Sequence, residues 1–453
     1  MEPYAAIFDH LLQPAYERMR GRITPRLRHE LEASQWWEAE ALARWQWLEL
    51  GRLLEHARSE VPYYQRWFAA RGASVQDIVH RRDILSLPII DRASMLVEPE
   101  LFQARLRPPG TYTKATGGTS GRPLRFLVDP RSEQWRLAVS RRGYQWAGCV
   151  PGGRQVHLWS GDLIPSTRFT RLKRGLHRVL QGQVYIDSFH LGHADMDRAL
   201  AVINRFRPRT LVVFTSALEM LARHAQARGW RPPASLGGII TGAESLHPHQ
   251  RELFSRVFAC PVFETYGSRE FMLIAAECER HQGLHLSAEN LLVELIKDGR
   301  PALPGEIGEV VVTDLHNRAQ PFIRYRNGDL AVWAEGDCAC GRGLPRLARL
   351  EGRILEVLRS PQGRELTGTF FPHLLKDFPA IRAYQVQQDT LDHLVIRLVL
   401  SEPLGDAQRS LILGLVAEAL PGVHPEISLV DEIPPTAAGK RLVTIGLGAG
   451  VSA

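Results

Sequence analysis

The chain has 453 residues, of which 44% are hydrophobic and 23% charged, with a formal net charge of +7. That length exceeds the roughly 250–300 residues at which a single core stops growing, so a large domain with a smaller companion is expected. The basic residues, mostly Arg, are scattered and form no stripe, so a nucleic-acid partner is not expected and the charge suits small anionic ligands as well.

At the start, MEPYAAIFDHLLQPAYERMRGR carries an early acid and no uninterrupted apolar stretch, so no signal peptide is expected. No apolar run anywhere approaches bilayer length, so no membrane span is expected. Up to about Gly72 apolar residues recur at helical spacing, as in WQWLELGRLLEHARSEVPYYQRWFAARG, with Pro62 interrupting the run. From about Thr113 short apolar runs alternate with amphipathic segments. RTLVVFTSA precedes LEMLARHAQARG, LGGIITGAES precedes HPHQRELFSRVF, and CPVFETYG precedes SREFMLIAAEC. This alternation predicts an α/β fold in which β-sheets are covered by helices. NLLVELI and GEVVVTDL read as strands joined by a turn at Pro301, Pro304 and Gly305. After Gly352-Arg353 a strand HLVIRLVLS, a helix DAQRSLILGLVAEAL and a strand PEISLV predict a small α+β unit. The expected division is 1–352, with a helical segment over about 1–100, and 353–453.

Four segments carry chemistry. Thr116-Gly117-Gly118-Thr119-Ser120-Gly121, preceded by Lys114, has the glycines that let backbone approach an anion and the hydroxyls that donate to it. Glu264-Thr265-Tyr266-Gly267-Ser268-Arg269-Glu270 ends an expected strand, where ligands of open α/β sheets bind; its Tyr can stack on a purine and Glu270 can hold a metal. Arg324-Tyr325-Arg326-Asn327-Gly328-Asp329 places a two-acceptor carboxylate after a glycine turn, suited to ribose hydroxyls. Pro434-Pro435-Thr436-Ala437-Ala438-Gly439-Lys440 presents one Lys on a small-residue loop, able to meet developing negative charge. Taken singly, each also fits a plain role: a polar hairpin turn, a buried Tyr with a solvated Glu, a turn Asp, an exposed Lys.

Taken in order, TGGTSGRP, ETYGSRE, RYRNGD, EGR and PPTAAGK resemble the signature of the adenylate-forming superfamily. More narrowly, LLEHARSEVPYYQRWF, AAECERHQGLH, PFIRYRNGDL and CACGRG are similar to phenylacetate–CoA ligase and its CapK-like relatives, over about residues 53–440. The resemblance implies a large adenylate-forming domain with a small α+β domain carrying the catalytic Lys440. It implies that Thr116 to Gly121 close over the ATP phosphates, that Gly242-Ala243-Glu244 line the adenine, that Tyr266 stacks on it, and that Gly267 and Ser268 lie beside it. Glu270 would bind Mg²⁺, Asp329 the ribose, and Arg353 would mark a hinge and contact ribose. The acid pocket is implied around Tyr144, Trp146, Phe214 and the segment after Gly242.

The five cysteines are too few and too clustered for a disulfide framework, which points to a reducing cytoplasm. Cys278-x2-His281 and Cys338-x-Cys340 supply the four ligands of a closed structural zinc site, a pattern the similar proteins share. His285 competes with His281 as the fourth ligand or faces the substrate pocket, and the plain alternative is reduced core cysteines beside an exposed His.

The expected activity is ATP- and Mg²⁺-dependent activation of a carboxylic acid to an acyl-adenylate, then transfer to CoA. The alternatives are transfer to an amine, a hydroxyl or a carrier protein, or nucleotide binding without turnover. Departures weaken the choice of CoA and of phenylacetate: Arg122 stands where a Lys is usual, Asn327 where a Thr is usual, and GRILEVLRS lacks the usual Asp-rich hinge. The resemblance also implies a homodimer by analogy.

Overall fold

The computed structural model describes residues 3–78, 81–116, 124–159, 175–188, 192–353, 357–367, 370–375, 378, 380–434 and 443–447. Gly117, Gly118, Thr119, Ser120 and Gly121, the hinge stretch 354–356 and Lys440 lie outside the described residues.

The N-terminal helices are α1 (Pro3–Ile7), continuing through a π turn (Phe8–Leu12) into α2 (Gln13–Met19), then α3 (Thr24–Ser34), α4 (Ala39–Glu60) and α5 (Pro62–Arg71). Pro62 fits the first turn of α5, where a missing N–H is harmless, and Gly72 closes that helix at φ +58°. Leu50, Leu53, Leu54 and Ala57 of α4 form one stripe that packs with Tyr64 and Phe68 of α5 against Leu292, Leu315 and Ile323. Then come α6 (Arg92–Val97), α7 (Pro130–Trp146), α8 (residues 175–180), α9 (His193–Phe206), α10 (Thr215–Ala227) and α11 (Pro248–Phe258).

Strands β1 (Tyr112–Ala115) and β2 (Arg125–Val128) form a hairpin around the glycine-rich segment. The main sheet contains β3 (Gln155–Trp159), β4 (Gln183–Asp187), β5 (Thr210–Phe214), β6 (Gly238–Gly242), β7 (Val262–Ser268), β8 (Met272–Glu277), β9 (Leu284–Leu286), β10 (Leu291–Lys297), β11 (Arg300–Pro301), β12 (Ile307–Asp314), β13 (Tyr325–Trp333) and β14 (Arg346–Arg353). Its 12 strands run in the order β11-β10-β12-β13-β14-β9-β8-β7-β6-β5-β3-β4. From β4 to β7 neighbours are parallel; from β7 outward to β11 they are antiparallel. The parallel half is buried under α9, α10 and α11, as near-continuous apolar strands require.

One element differs from the sequence reading. SREFMLIAAEC was expected to be a helix, but Met272–Glu277 is β8, paired antiparallel with β7. The run is apolar along its length because both faces are covered, so its spacing does not distinguish a buried strand from a helix. The connection is tight: Met272 adopts φ +60°, and a Cβ on Gly267 would meet the Met272 carbonyl oxygen. α7 is clamped onto the antiparallel half by two buried ion pairs, Arg136–Asp314 and Arg142–Glu289, each at 2.6 Å. Truncating one partner of such a pair costs roughly 3–5 kcal/mol, since the other charge stays buried.

Beyond β14 the strands belong to other sheets. β15 (Val357–Arg359) pairs with β16 (Glu365–Thr367). After α12 (Phe370–Leu375), β17 (Ile381–Thr390), β18 (His393–Leu400), β19 (His424–Leu429) and β20 (Thr444–Ile445) make a four-stranded sheet in the order β19-β18-β17-β20. Helix α13 (Asp406–Ala419) buries Ile412 and Val416 among Leu394, Ile396 and Leu398 of that sheet.

Candidate active site

The parallel strands end side by side at Trp159, Phe214, Gly242 and Tyr266–Ser268. β7 is also where the sheet changes from parallel to antiparallel pairing, so its carboxyl end is bordered by both halves.

Tyr266 is only 6% exposed, and its hydroxyl donates to Asp329 Oδ2 at 2.7 Å. Asn327 Nδ2 donates to both the Tyr266 oxygen (2.9 Å) and Asp329 Oδ2 (2.6 Å). The three side chains tie β7 to β13 and hold the carboxylate in one orientation. Tyr266 therefore works here through its hydroxyl, and the ring is packed in the main core, not laid open as a stacking platform. Asp329 lies opposite Arg353 in the β13–β14 pairing, so the end of β14 abuts the same network. Asn327, a departure from the usual Thr, is the third member of that network; its carboxamide supplies the two donors that a hydroxyl could not.

Glu270 lies in the β7–β8 turn, 8% exposed, and bonds to the Tyr325 phenol, whose pKa is raised by burial and by that carboxylate. Ser268 Oγ accepts from Phe271 N at 3.3 Å and so shapes the turn. Arg269 reaches across to β1, its Nε donating to the Ala115 carbonyl at 3.2 Å. Thr116 closes the neck of the glycine-rich segment: its N donates to Leu124 O (2.9 Å) and its Oγ1 accepts from Leu124 N (3.0 Å). Arg92, in the first turn of α6, donates to that same Oγ1 at 2.7 Å. Lys114 sits just below. Burial, helped by Arg136 and Arg269 and opposed by Glu133, lowers its pKa to about 8.

Gly242 lies against the Trp159 ring, 3.6 Å from where its Cβ would stand, and Ala243 takes φ +66°. The Glu244 carboxylate accepts from Ser216 N (2.7 Å) and Ser216 Oγ (3.0 Å), fixing the loop to the start of α10. Its carboxylate thus anchors the start of α10. Phe214 and Trp159 stack at 4.1 Å, and Trp159 and Tyr144 pack together with Cys149, Val212, Ile240 and Phe263. Trp159 was missed by the sequence reading, although it ends an apolar run as Phe214 does.

The other two expected pocket residues, Trp146 and His285, belong elsewhere. Trp146 meets His285 edge-on at 5.6 Å, and its indole N–H donates to Gln35. His285 joins Cys278, Cys338 and Cys340, whose ligand atoms all lie within 4.8 Å of one another. His281 is not part of this cluster: its Nδ1 faces Glu277 at 3.3 Å and its ring packs on Phe263. His281 takes a left-handed conformation (φ +51°) in the turn before β9, whereas His285 lies on β9 and is carried inward by the strand. Cys278 Sγ is 3.7 Å from Cys338 Sγ, and Cys340 Sγ is 3.4 Å from His285 Nε2. A tetrahedral zinc with Zn–S of about 2.3 Å separates its ligands by roughly 3.6–3.8 Å, so the donor set fits. Burial pushes the His285 pKa down to about 4, keeping the ring neutral, and Nδ1 is engaged by the Leu344 carbonyl at 3.3 Å. Nε2 is left to face the sulfurs.

One buried acid on β7 makes a test of the local electrostatics. Burial raises the Glu264 pKa to about 7, with Glu277 adding to the effect and the Leu246 N–H and Arg251 opposing it. A carboxyl whose folded pKa lies above its unfolded value stabilises most below the unfolded value, and that contribution is lost as pH rises through 7. Glu264→Gln is expected to raise the melting temperature by a few degrees at pH 8 and by less at pH 5. A uniform change at both pH values would contradict the assignment.

The family model described as AMP-binding enzyme matches residues 181–316, from just before β4 to just past β12. A phenylacetate–coenzyme A ligase of Thermus thermophilus is 25% identical over 365 residues, covering 78% of this chain and 80% of that protein. Over most of its length the chain is similar to adenylate-forming enzymes. It is also similar to Protein CapK of Staphylococcus aureus, 22% identical over 73% of each chain. Among solved structures, a 2-hydroxyisobutyryl-CoA ligase in its postadenylation state with R3-HIB-AMP aligns over 88% of both chains with a TM-score of 0.69 at 18% identity. At that identity the likeness speaks for the fold.

Proposed function

We propose that this enzyme activates a carboxylic acid with MgATP, releasing pyrophosphate, and passes the acyl group from the adenylate to coenzyme A. What supports this most is the meeting, at the carboxyl edge of the parallel strands, of Glu270, the Tyr266–Asn327–Asp329 network and the neck of the glycine-rich segment.

In this reading Asp329 accepts the ribose hydroxyls, and Tyr266 and Asn327 keep its carboxylate aimed. Backbone at Gly242 and Ala243 borders the adenine. Glu270, steadied by Tyr325, holds Mg²⁺, which when bound neutralises the triphosphate. Thr116 sets the base of the segment 117–121, whose N–H and hydroxyl donors meet the phosphates. A carboxylate oxygen of the acid bonds to the α-phosphorus, the bond to the bridging oxygen breaks, and pyrophosphate leaves with the electron pair. Lys440 stabilises the charge spreading in that step. The CoA sulfur then bonds to the acyl carbon and AMP departs. The division at 352/353 lets the small unit carrying Lys440 turn on Arg353 between the two steps. The acid subsite lies at Tyr144, Trp159, Phe214 and Gly242, a wall that favours an apolar or planar acid. The same reading assigns a structural zinc to Cys278, His285, Cys338 and Cys340, and includes the cytoplasmic location and the homodimer.

The test is acid-dependent pyrophosphate release from MgATP across aryl, aliphatic and amino acids, with and without CoA. Release with one acid class and CoA-dependent AMP formation are expected. No release with any acid, together with no ATP binding by calorimetry, would overturn the reading. Transfer to an amine, a hydroxyl or a carrier is the second reading, favoured by Arg122 and Asn327, and AMP formation indifferent to CoA would select it.

Lys114 gives a pH signature. Its ammonium is charged below about pH 8 and neutral above. The KM for MgATP is therefore expected to rise several-fold between pH 7 and 9, and that of Lys114→Met to be higher at pH 7 and to lack this rise, approaching the wild-type value at pH 9. An unchanged KM in that variant would remove Lys114 from the phosphate site.

A further inference from the structure

The first helical stretch of the chain is amphipathic in the inverted sense. Its inward side carries Asp9, Gln13 and Glu17, all under 10% exposed, beside Ala5 and Phe8. The π turn over Phe8–Leu12 keeps those polar residues in line. Asp9 pairs with Arg28 at 2.6 Å and Glu17 with Arg141 at 2.8 Å, so both acids are consumed inside. The outward side is apolar: Ile7 is 53% exposed, Leu11 64%, Leu12 45% and Met19 83%, with Tyr4 and Tyr16 beside them.

α8 extends this surface. The Tyr4 hydroxyl donates to the Leu180 carbonyl at 2.6 Å, and Arg22 lies close enough to His177 to lower its pKa, after burial as the main cause. α8 exposes Leu176 (60%) and Val179 (73%). Asp9 and Glu17 are the only acids in 3–22 and 175–185, and both face inward, whereas Arg18 and Arg20 are exposed and Arg22 and Arg178 half-buried. The outer surface of the two helices is thus aliphatic and cationic, with no acid of its own.

We propose that this face docks on an anionic lipid bilayer, the helices lying in the plane of the headgroups with Ile7, Leu11, Leu12, Met19, Leu176 and Val179 entering the acyl boundary. Charge decides between occupants. A second copy would bring Arg18 and Arg20 against a surface of the same sign, whereas an anionic headgroup layer complements them and the hydrocarbon beneath takes the aliphatic side chains. No helix among the described residues is long and apolar enough to cross a membrane, so the contact is peripheral. It is independent of the catalytic reading.

The experiment is co-sedimentation of the full chain with phosphatidylcholine vesicles, with and without phosphatidylserine, at low and physiological salt, alongside light scattering of the free protein. Pelleting with the anionic vesicles, weakened by salt, is expected. Leu11→Glu/Met19→Glu should bind roughly tenfold more weakly, and Arg18→Glu/Arg20→Glu should lose the dependence on phosphatidylserine. All four side chains are exposed, so the variants should melt as the wild type does, which separates lost docking from lost folding. Wild-type protein left in the supernatant with anionic vesicles would overturn the proposal. So would a wild-type dimer that Leu11→Glu/Met19→Glu converts to monomer, which would give the face to a second copy.

Discussion

Cys278→Ser is expected to empty the metal cluster and lower the melting temperature by ten degrees or more, while His281→Ala leaves the metal content unchanged. Cys278 follows β8, His285 lies on β9, and Cys338 and Cys340 come from the turn between β13 and β14. An ion held there would tie three places along the antiparallel half, whose β9–β14 pairing among the described residues comprises Arg346↔His285 and Leu347↔Leu284. Where so few backbone bonds join two strands, metal-binding energy becomes folding energy, and losing one of four ligands removes most of it. Backbone N–H groups of Arg280 and Arg342 point at the Cys278 and Cys340 sulfurs, the arrangement a thiolate ligand favours. The measurement is metal analysis of chelator-washed protein together with thermal melting. Purified wild type free of zinc, or a Cys278→Ser variant that melts like wild type, would sink the zinc assignment.

Lys440→Ala is expected to lower acid-dependent pyrophosphate release by roughly a hundred- to a thousandfold, the range seen when one preorganised donor to a developing oxyanion is removed. The argument is electrostatic. An anionic carboxylate must approach an anionic α-phosphate, and the barrier falls only if positive charge is held where the oxygens crowd. Glu270 and Asp329, proposed above to meet a metal and a sugar, are acids and cannot supply that charge themselves. Lys440 lies outside the described residues, in a stretch of sequence rich in Pro, Ala and Gly, so a single substitution there is expected to leave the fold intact. The melting temperature should stay put and ATP binding should survive. Thioester formation from a supplied acyl-adenylate should be far less affected than adenylation. Wild-type turnover in this variant would dismiss the lysine.

The sequence was legible where local chemistry suffices. Pro62 and Gly72 bound α5 for backbone reasons, and the apolar runs RTLVVF and LGGIITG are strands because both faces are buried. The ordered motifs singled out Glu270, Tyr266 and Asp329, and the fold sets Tyr266 against Asp329 and Glu270 against Tyr325, both partners lying on β13. Reading failed where two structures share a pattern. FMLIAAEC is apolar throughout, so only its pairing with β7 and the left-handed Met272 turn make it a strand.

By itself, then, the sequence determined the α/β class, the order of the chemical motifs and the Cys and His types of a cluster that could hold a metal, because these follow from residue chemistry and short-range spacing. Only the tertiary structure chose His285 over His281, turned Tyr266 into the partner of Asp329, divided Tyr144 and Phe214 from Trp146, and exposed the apolar side of α1 and α2. Each of those choices depends on which strand or helix lies across the gap, over sequence separations as long as the 176 residues between Tyr4 and Leu180. Spacing along the chain carries no information about such neighbours; packing of one element against another creates it.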